Sequence, residues 1–397
     1  MIKVIAIVSN GIGSGGGFDQ ALNAILQMRR LSSNRFDFEV FTTVPDNVGF
    51  LTRLGVQSTV VRVSVFDRLL VKLSQNSLWQ SLQRRLQWVG PLEKKLIYHG
   101  CDVVYLVTPD DLSAALQELN YMTTIWDLCH RETPEFPEVR EFNTFSVREK
   151  NYKHNLGAAL LTLTESSRLA DMASQYYGVE RGRFLAMPLT PMPFLEEAHA
   201  VKTSKVSEKY GLNADYFFYP AQFWAHKNHM RILQALIELR DVHGWLPTVV
   251  FSGKDGGTLA HVERFIKIHK LQSQVRLLGF VPSEDMRGLY ENAMAVVMPT
   301  YFGPTNLPPL EAWSLGVPLI YSAHLSEQAA NAALLVNPDN ATELANAMLA
   351  CAKSDVRDQL IEAGRVRLAE ISCQRDAAEF ELCKVLEKFA LRRQCWA

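Results

Sequence analysis

The chain has 397 residues, 48% of them hydrophobic and 21% charged, which is enough for two ordinary domains, each with its own core. Its 41 basic and 42 acidic residues leave a net charge of −1, which excludes the basic excess of a general nucleic-acid binder. The six cysteines, at 101, 129, 351, 373, 383 and 395, have neither CxxC nor zinc-site spacing, and no apolar run reaches the ~18–20 residues of a membrane span, so the expectation is a cytoplasmic protein with reduced thiols and no leader.

Short apolar runs alternate with longer amphipathic ones. Val4–Val8 reads as a buried strand, Gly11–Gly17 as a glycine-rich turn and Phe18–Leu31 as a helix. Phe38–Thr42, Val103–Val107, Met122–Ile125 and Ala158–Leu163 read as further strands, the last followed by a helix over Ser166–Tyr177. Three prolines in Met187–Pro193 and the polar Glu196–Ser207 interrupt the rhythm. It restarts with strands at Tyr216–Tyr219, Thr248–Ser252, Val275–Leu278, Ala295–Met298 and Pro318–Tyr321. Helices are expected over His229–Val242, from Pro309 to Leu315, and over 341–353, 355–371 and 375–392.

Such alternation predicts an α/β fold of two Rossmann-like, doubly wound domains facing across a cleft. The expected division is 1–195, then 205–375, with 376–397 a C-terminal helix able to pack back toward the first domain. Ligands of such folds bind at the carboxyl ends of the strands.

Gly11–Gly16 fits G-x-G-x-x-G between a strand and a helix, with Asp37 and Glu39 roughly 20 residues on, as in a dinucleotide site. Taken alone it supports an NAD-dependent oxidoreductase, a tight turn without a ligand, or a loop (Gly15, Gly16) that contacts phosphate or acceptor.

Met298–Pro318 is more informative. A strand ends at Met298, a loop of Gly, Pro, Thr and Asn follows, and proline at 309 suits a first helical turn. Backbone N–H groups of Thr305, Asn306 and Leu307 can point at a diphosphate, and Glu311, placed in the first turn, can accept two hydroxyl hydrogen bonds, as from a ribose.

This stretch resembles the signature of the retaining glycosyltransferases of family 4 (group 1), which have the GT-B fold. Their form is E-G-F-G-L-P-x-L-E-A. Anchored on Leu307–Glu311, the second glutamate falls on Glu311 and the first on Gly303, so Pro304–Asn306 is expected to take part of the sugar-contacting role. Phe217–His229 resembles the family's G-R-x-x-x-x-K, in which an arginine and a lysine neutralise the donor diphosphate. Here Lys227 fits, and Gln222 stands at the arginine position. Gly253–Gly257 and Val275–Pro282 match the loops that wrap the base, with Gly253, Phe280 and Val281 as contacts and a core place for Phe280 an equal alternative. Thr124–Pro137 looks like the family's H-D-L loop, with tryptophan at the histidine position, Asp127 kept and His130 three later.

The resemblance implies transfer of a sugar, with retention, from a nucleotide-diphosphate sugar to a glycan or lipid-linked glycan, as in polysaccharide or lipopolysaccharide biosynthesis. Lys227, Thr305 and Asn306 would face the leaving charge, Glu311 the ribose, and Asp127 and His130 would position donor sugar or acceptor. The alternatives are the NAD enzyme and a non-catalytic nucleotide-sugar-binding protein. No D-x-D motif occurs and His226 with His229 make only a weak metal pattern, so neither metal nor other cofactor is expected. Residues 53–95 hold eight Lys or Arg, with Trp79 and Trp88. They read either as solvated helices or as a peripheral contact at the inner face of the membrane.

Overall fold

The computed structural model describes residues 1–12, 16–32, 35–73, 89–192, 203–213 and 215–396, without the side chains of 203–205. Two compact units emerge. The first comprises Met1–Leu128, Asn143–Leu189 and Gln374–Ala397, and the second comprises Cys129–Phe142 and Thr190–Cys373. Both are parallel-sheet α/β domains of the Rossmann type.

In the first unit, β1 (Lys3–Val8), β2 (Asp37–Thr42), β3 (Ser58–Val60), β4 (Val103–Leu106), β5 (Asn120–Thr124), β6 (Leu161–Thr164) and β7 (Phe184–Ala186) pair in the order β3-β2-β1-β4-β5-β6-β7. The second holds β8 (Tyr216–Pro220), β9 (Val249–Ser252), β10 (Val275–Leu277), β11 (Ala293–Met298), β12 (Leu319–Ser322) and β13 (Leu334–Val336), ordered β10-β9-β8-β11-β12-β13. Every strand pair is parallel. Parallel strands covered on both faces must be apolar throughout, which is why β4, β9 and β12 are buried at every residue. In each sheet the order reverses beside the first strand, between β1 and β4 and between β8 and β11. Crevices for ligands open there.

The structure differs from the sequence reading at several places. The short edge strands β3, β7 and β13 were not expected; three residues each is too little for a periodic signal. The helices expected over 355–371 and 375–392 are one helix, Ser354–Arg393. No glycine or proline stands between 365 and 393 to end it. The helix expected from Pro309 begins at Leu307, because Asn306 is its extended N-cap residue. Glu311 therefore lies in the second turn, and an argument from the first-turn dipole does not apply to it. Residues 129–142, placed by sequence in the first domain, belong to the second unit.

The end of the long helix is part of the first unit. Buried Arg375 donates to Glu379 (3.1 Å), Asn23 (2.8 Å) and the Pro188 carbonyl (3.0 Å), and Gln27 donates to Glu379 (3.0 Å). Arg393 pairs with Asp102 at 2.6 Å. Charges this deep must be paired, and here each is.

Candidate active site

The crevice between β8 and β11 collects the second unit's chemistry. From the end of β8 the chain makes a tight turn, Ala225–Lys227, closed by Asn228 in the left-handed region (φ 57°). Asn228 donates to the carbonyls of Pro299 (3.0 Å) and Pro338 (2.8 Å), and the Tyr301 N–H donates to the His226 carbonyl (2.8 Å). The turn after β8 is thereby fastened to the loop after β11. This brings the Lys227 ammonium to the Asn306 side-chain oxygen (3.4 Å) across 79 residues of sequence.

Asn306 is the best-held residue of the site. Its side-chain nitrogen donates to the Gly303 carbonyl (3.2 Å) and the Tyr321 hydroxyl (2.7 Å), which turns its oxygen to Lys227. Gln328 takes its backbone N–H (2.9 Å) and donates to its carbonyl (2.7 Å). This corrects one expectation: the Asn306 N–H is committed to Gln328. Thr305 and Leu307 flank it, the first half-buried and the second buried, and Pro304 is half-buried. Glu311 is buried and accepts from the Tyr290 hydroxyl at 2.5 Å. Burial and the neighbouring carboxylate hold the Tyr290 phenol well above its usual pKa, so it remains a donor.

Gly303 has φ +106°, a conformation that side chains other than glycine rarely adopt, and a Cβ there would meet the Asn306 amide at 3.1 Å. Glycine suits this loop conformation, and a glutamate at 303 would be strained in it. Gln222 has other work as well: its oxygen accepts from the Trp224 indole N–H at 2.8 Å. The Trp224 ring lies so close over Gly256 that a Cβ there would come within 2.5 Å of it.

Gly253 has φ +152°, and a Cβ on it would lie 2.3 Å from the Ala221 carbonyl oxygen. The loops after β8 and β9 touch through it. Phe280 is 63% exposed, with the Lys254 ammonium 4.9 Å from its ring centre, so it is not a core residue. Val281 is buried.

His229 is packed among the rings of Phe223 (4.4 Å), Tyr219 (4.9 Å) and Phe251 (5.0 Å), where burial pushes it down to about pKa 3. It is a neutral core residue. Among the described residues no group of three His, Cys, Asp or Glu is placed to hold a metal ion. His226 instead pairs through Nδ1 with Glu138 and stacks on Phe302 at 3.8 Å.

The remaining expected residues are spread more widely. Gly16 is the exposed first residue of the helix Gly16–Ser32, and Gly15 lies outside the described residues. Asp127, in the first unit, pairs with Arg148 at 2.6 Å. His130 is fully buried in the second unit. The first unit has its own cavity at the carboxyl ends of β4, β5 and β6, lined by Asn23, Gln27, Trp126, Glu165, Met187 and Arg375. Sequence reasoning missed Tyr290, Tyr321, Gln328 and Glu138. Each reaches the site from a separate element, and no local motif marks any of them.

The dinucleotide reading fails on geometry. Asp37 and Glu39 lie at the start of β2, with Glu39 paired to Lys3 at 2.6 Å, whereas a ribose-binding acid belongs at the strand's carboxyl end.

Residues 214–354 match the family model described as Glycosyl transferases group 1. The second unit thus carries a group 1 glycosyltransferase domain. The chain is 27% identical over 276 residues to the O-antigen chain mannosyltransferase B of Escherichia coli, a match covering 68% of this chain and 69% of that protein. In fold it is similar to HepE of Anabaena, solved with UDP-glucose (TM-score 0.72, 15% identity, 97% of this chain and 100% of that one). A glycosyltransferase of Rickettsia africae is similarly close (TM-score 0.71, 13% identity, 98% of each chain). The chain's two sheets are those of the GT-B fold. Among its described residues no helix is long and apolar enough to cross a membrane.

Proposed function

We propose that the enzyme transfers a hexose, with retention of configuration, from a nucleoside diphosphate sugar to a growing cell-surface glycan. The observation that carries this reading is the meeting of Lys227 and Asn306 beside the N-terminus of the helix Leu307–Ser314, at the crevice where the sheet order reverses. A lysine and a helix N-terminus together suit a diphosphate leaving group. Glu311 takes the ribose hydroxyls, and Phe280 with the Val281 backbone covers the base. The first unit receives the acceptor, which Asp127 positions, and His130 of the second unit positions the donor sugar. The retaining stereochemistry rests on the family resemblance. The similarity to an O-antigen mannosyltransferase makes mannose the first sugar to test and a lipopolysaccharide-type glycan the first acceptor.

Thermal shift against UDP, GDP, dTDP, CMP and NAD, with and without EDTA, tests the donor class. A ligand that binds only the folded chain raises its melting temperature. One nucleoside diphosphate should do so equally in EDTA, because Lys227 and the helix N-terminus carry the phosphate charge. A rise with NAD alone overturns the reading, and a rise abolished by EDTA overturns metal independence.

We also propose a peripheral membrane contact through residues 53–95. On the helix Val65–Leu73, Val65 (86%) and Leu69 (45%) are exposed four residues apart, beside exposed Arg68 and Lys72. Residues 74–88, with Trp79, Trp88, Arg84 and Arg85, lie outside the described residues. Val65→Asp with Leu69→Asp should abolish co-sedimentation with anionic vesicles, and unchanged binding sinks this contact.

A further inference from the structure

We propose that Glu138 is a positioning residue of the donor site, fixing the turn from which Lys227 meets the diphosphate. The inference rests on the donor reading above and deepens it.

One carboxylate oxygen of Glu138 accepts twice from the same residue, from the His226 backbone N–H at 2.9 Å and from its ring Nδ1. Two bonds to one residue fix both its backbone and its ring. Burial pushes the Glu138 carboxyl up, but the ring and N–H of His226 more than offset this and leave it below its ordinary value. The anion is therefore the form that binds, and charge-assisted bonds of this kind are roughly twice as strong as neutral ones. Both side chains are nearly buried, 11% exposed for His226 and 12% for Glu138.

The contact is not an isolated ion pair. The His226 ring stacks on Phe302, whose own ring meets Phe136 edge-on at 5.4 Å, and Phe136 also meets Tyr301 at 5.2 Å. Phe136 and Glu138 flank Pro137, which opens the short helix Pro137–Arg140. One face of that segment thus grips both loops of the crevice: the turn after β8 through His226, and the loop after β11 through Tyr301 and Phe302. Lys227 follows His226 directly, and Gly303 follows Phe302. The 129–142 segment, which is local in sequence to the first unit's strands, is in this way built into the second unit's phosphate site. A purely structural clamp would matter equally to any ligand of the unit. A clamp on the Lys227 turn matters most to a ligand with two phosphates.

The test uses the full chain and calorimetric titration with UDP, GDP and dTDP and with their monophosphates UMP, GMP and dTMP. Glu138→Gln should raise the Kd of whichever diphosphate the wild-type chain binds by about tenfold, as loss of a charge-assisted bond implies, and that of the matching monophosphate by less than about twofold. Glu138→Asp, which keeps the charge, should restore most of the diphosphate affinity. Equal affinities in wild type and Glu138→Gln overturn the proposal, as does an equal loss for mono- and diphosphate. Should Glu138→Gln fail to fold, His226→Gln removes the ring partner instead. It must show the same selective loss, and an unselective one overturns the proposal. A wild-type chain that binds none of the three diphosphates overturns the donor reading, and this proposal with it.

Discussion

Lys227→Ala should lower turnover at saturating donor by about two to three orders of magnitude, the usual cost of removing one fixed donor to a developing negative charge. The chain places a single family cation in the β8 turn, because Gln222 stands at the position of the usual arginine and its oxygen holds Trp224. The lysine is held ready by Asn306 at 3.4 Å and by the Tyr219 hydroxyl on its own carbonyl at 2.7 Å. On the donor reading proposed above, its charge would act on the departing diphosphate without a reorganisation cost at the moment of reaction. Steady-state rates with the nucleotide sugar identified by thermal shift supply the measurement. Turnover within a factor of ten of wild type would assign the leaving-group charge to other residues.

Gly253→Ala should be the most damaging single methyl group in the second unit. It brings a Cβ to 2.3 Å from the Ala221 carbonyl oxygen and 2.7 Å from the Gln222 Cα, both backbone atoms that cannot rotate away. At φ +152° the added side chain is strained even before it touches them. Relief requires the ends of β8 and β9 to part, which also breaks the Gly253 N–H bond to the Gly279 carbonyl (2.8 Å) and shifts the loop bearing Phe280. We expect a loss of about 2–4 kcal/mol in chemical denaturation, the sum of a strained backbone and an overpacked contact. Nucleotide binding should be lost with it. Wild-type stability would show that the two loops can separate freely.

Much of this was legible in the chain. The strands β1, β2, β4, β5, β6 and β8–β12 lie where short apolar runs predict them, because a parallel strand covered on both faces must be apolar from end to end. Lys227, Asn306 and Glu311 stand out because their motifs sit at strand ends followed by helices, where the fold itself makes a crevice. What escaped has physical reasons too. The three-residue edge strands β3, β7 and β13 carry no period. The long C-terminal helix lacks the breaker expected between its halves. Glu138, Tyr290, Tyr321 and Gln328 act through partners 7 to 88 residues away, and pairing across such distances leaves no local pattern. The first-turn place expected for Glu311 failed because an asparagine cap, not a proline, sets where that helix starts.

The Asn306 amide has a consequence for charge. An aspartate at 306 would also offer Lys227 an oxygen, but it would neutralise the ammonium and compete with every incoming phosphate. It would further set an acceptor against the Gly303 carbonyl, where Asn306 now donates. The amide tethers the cation without adding a negative charge beside it. At this position the lysine is thus tethered by a neutral group and not by a carboxylate.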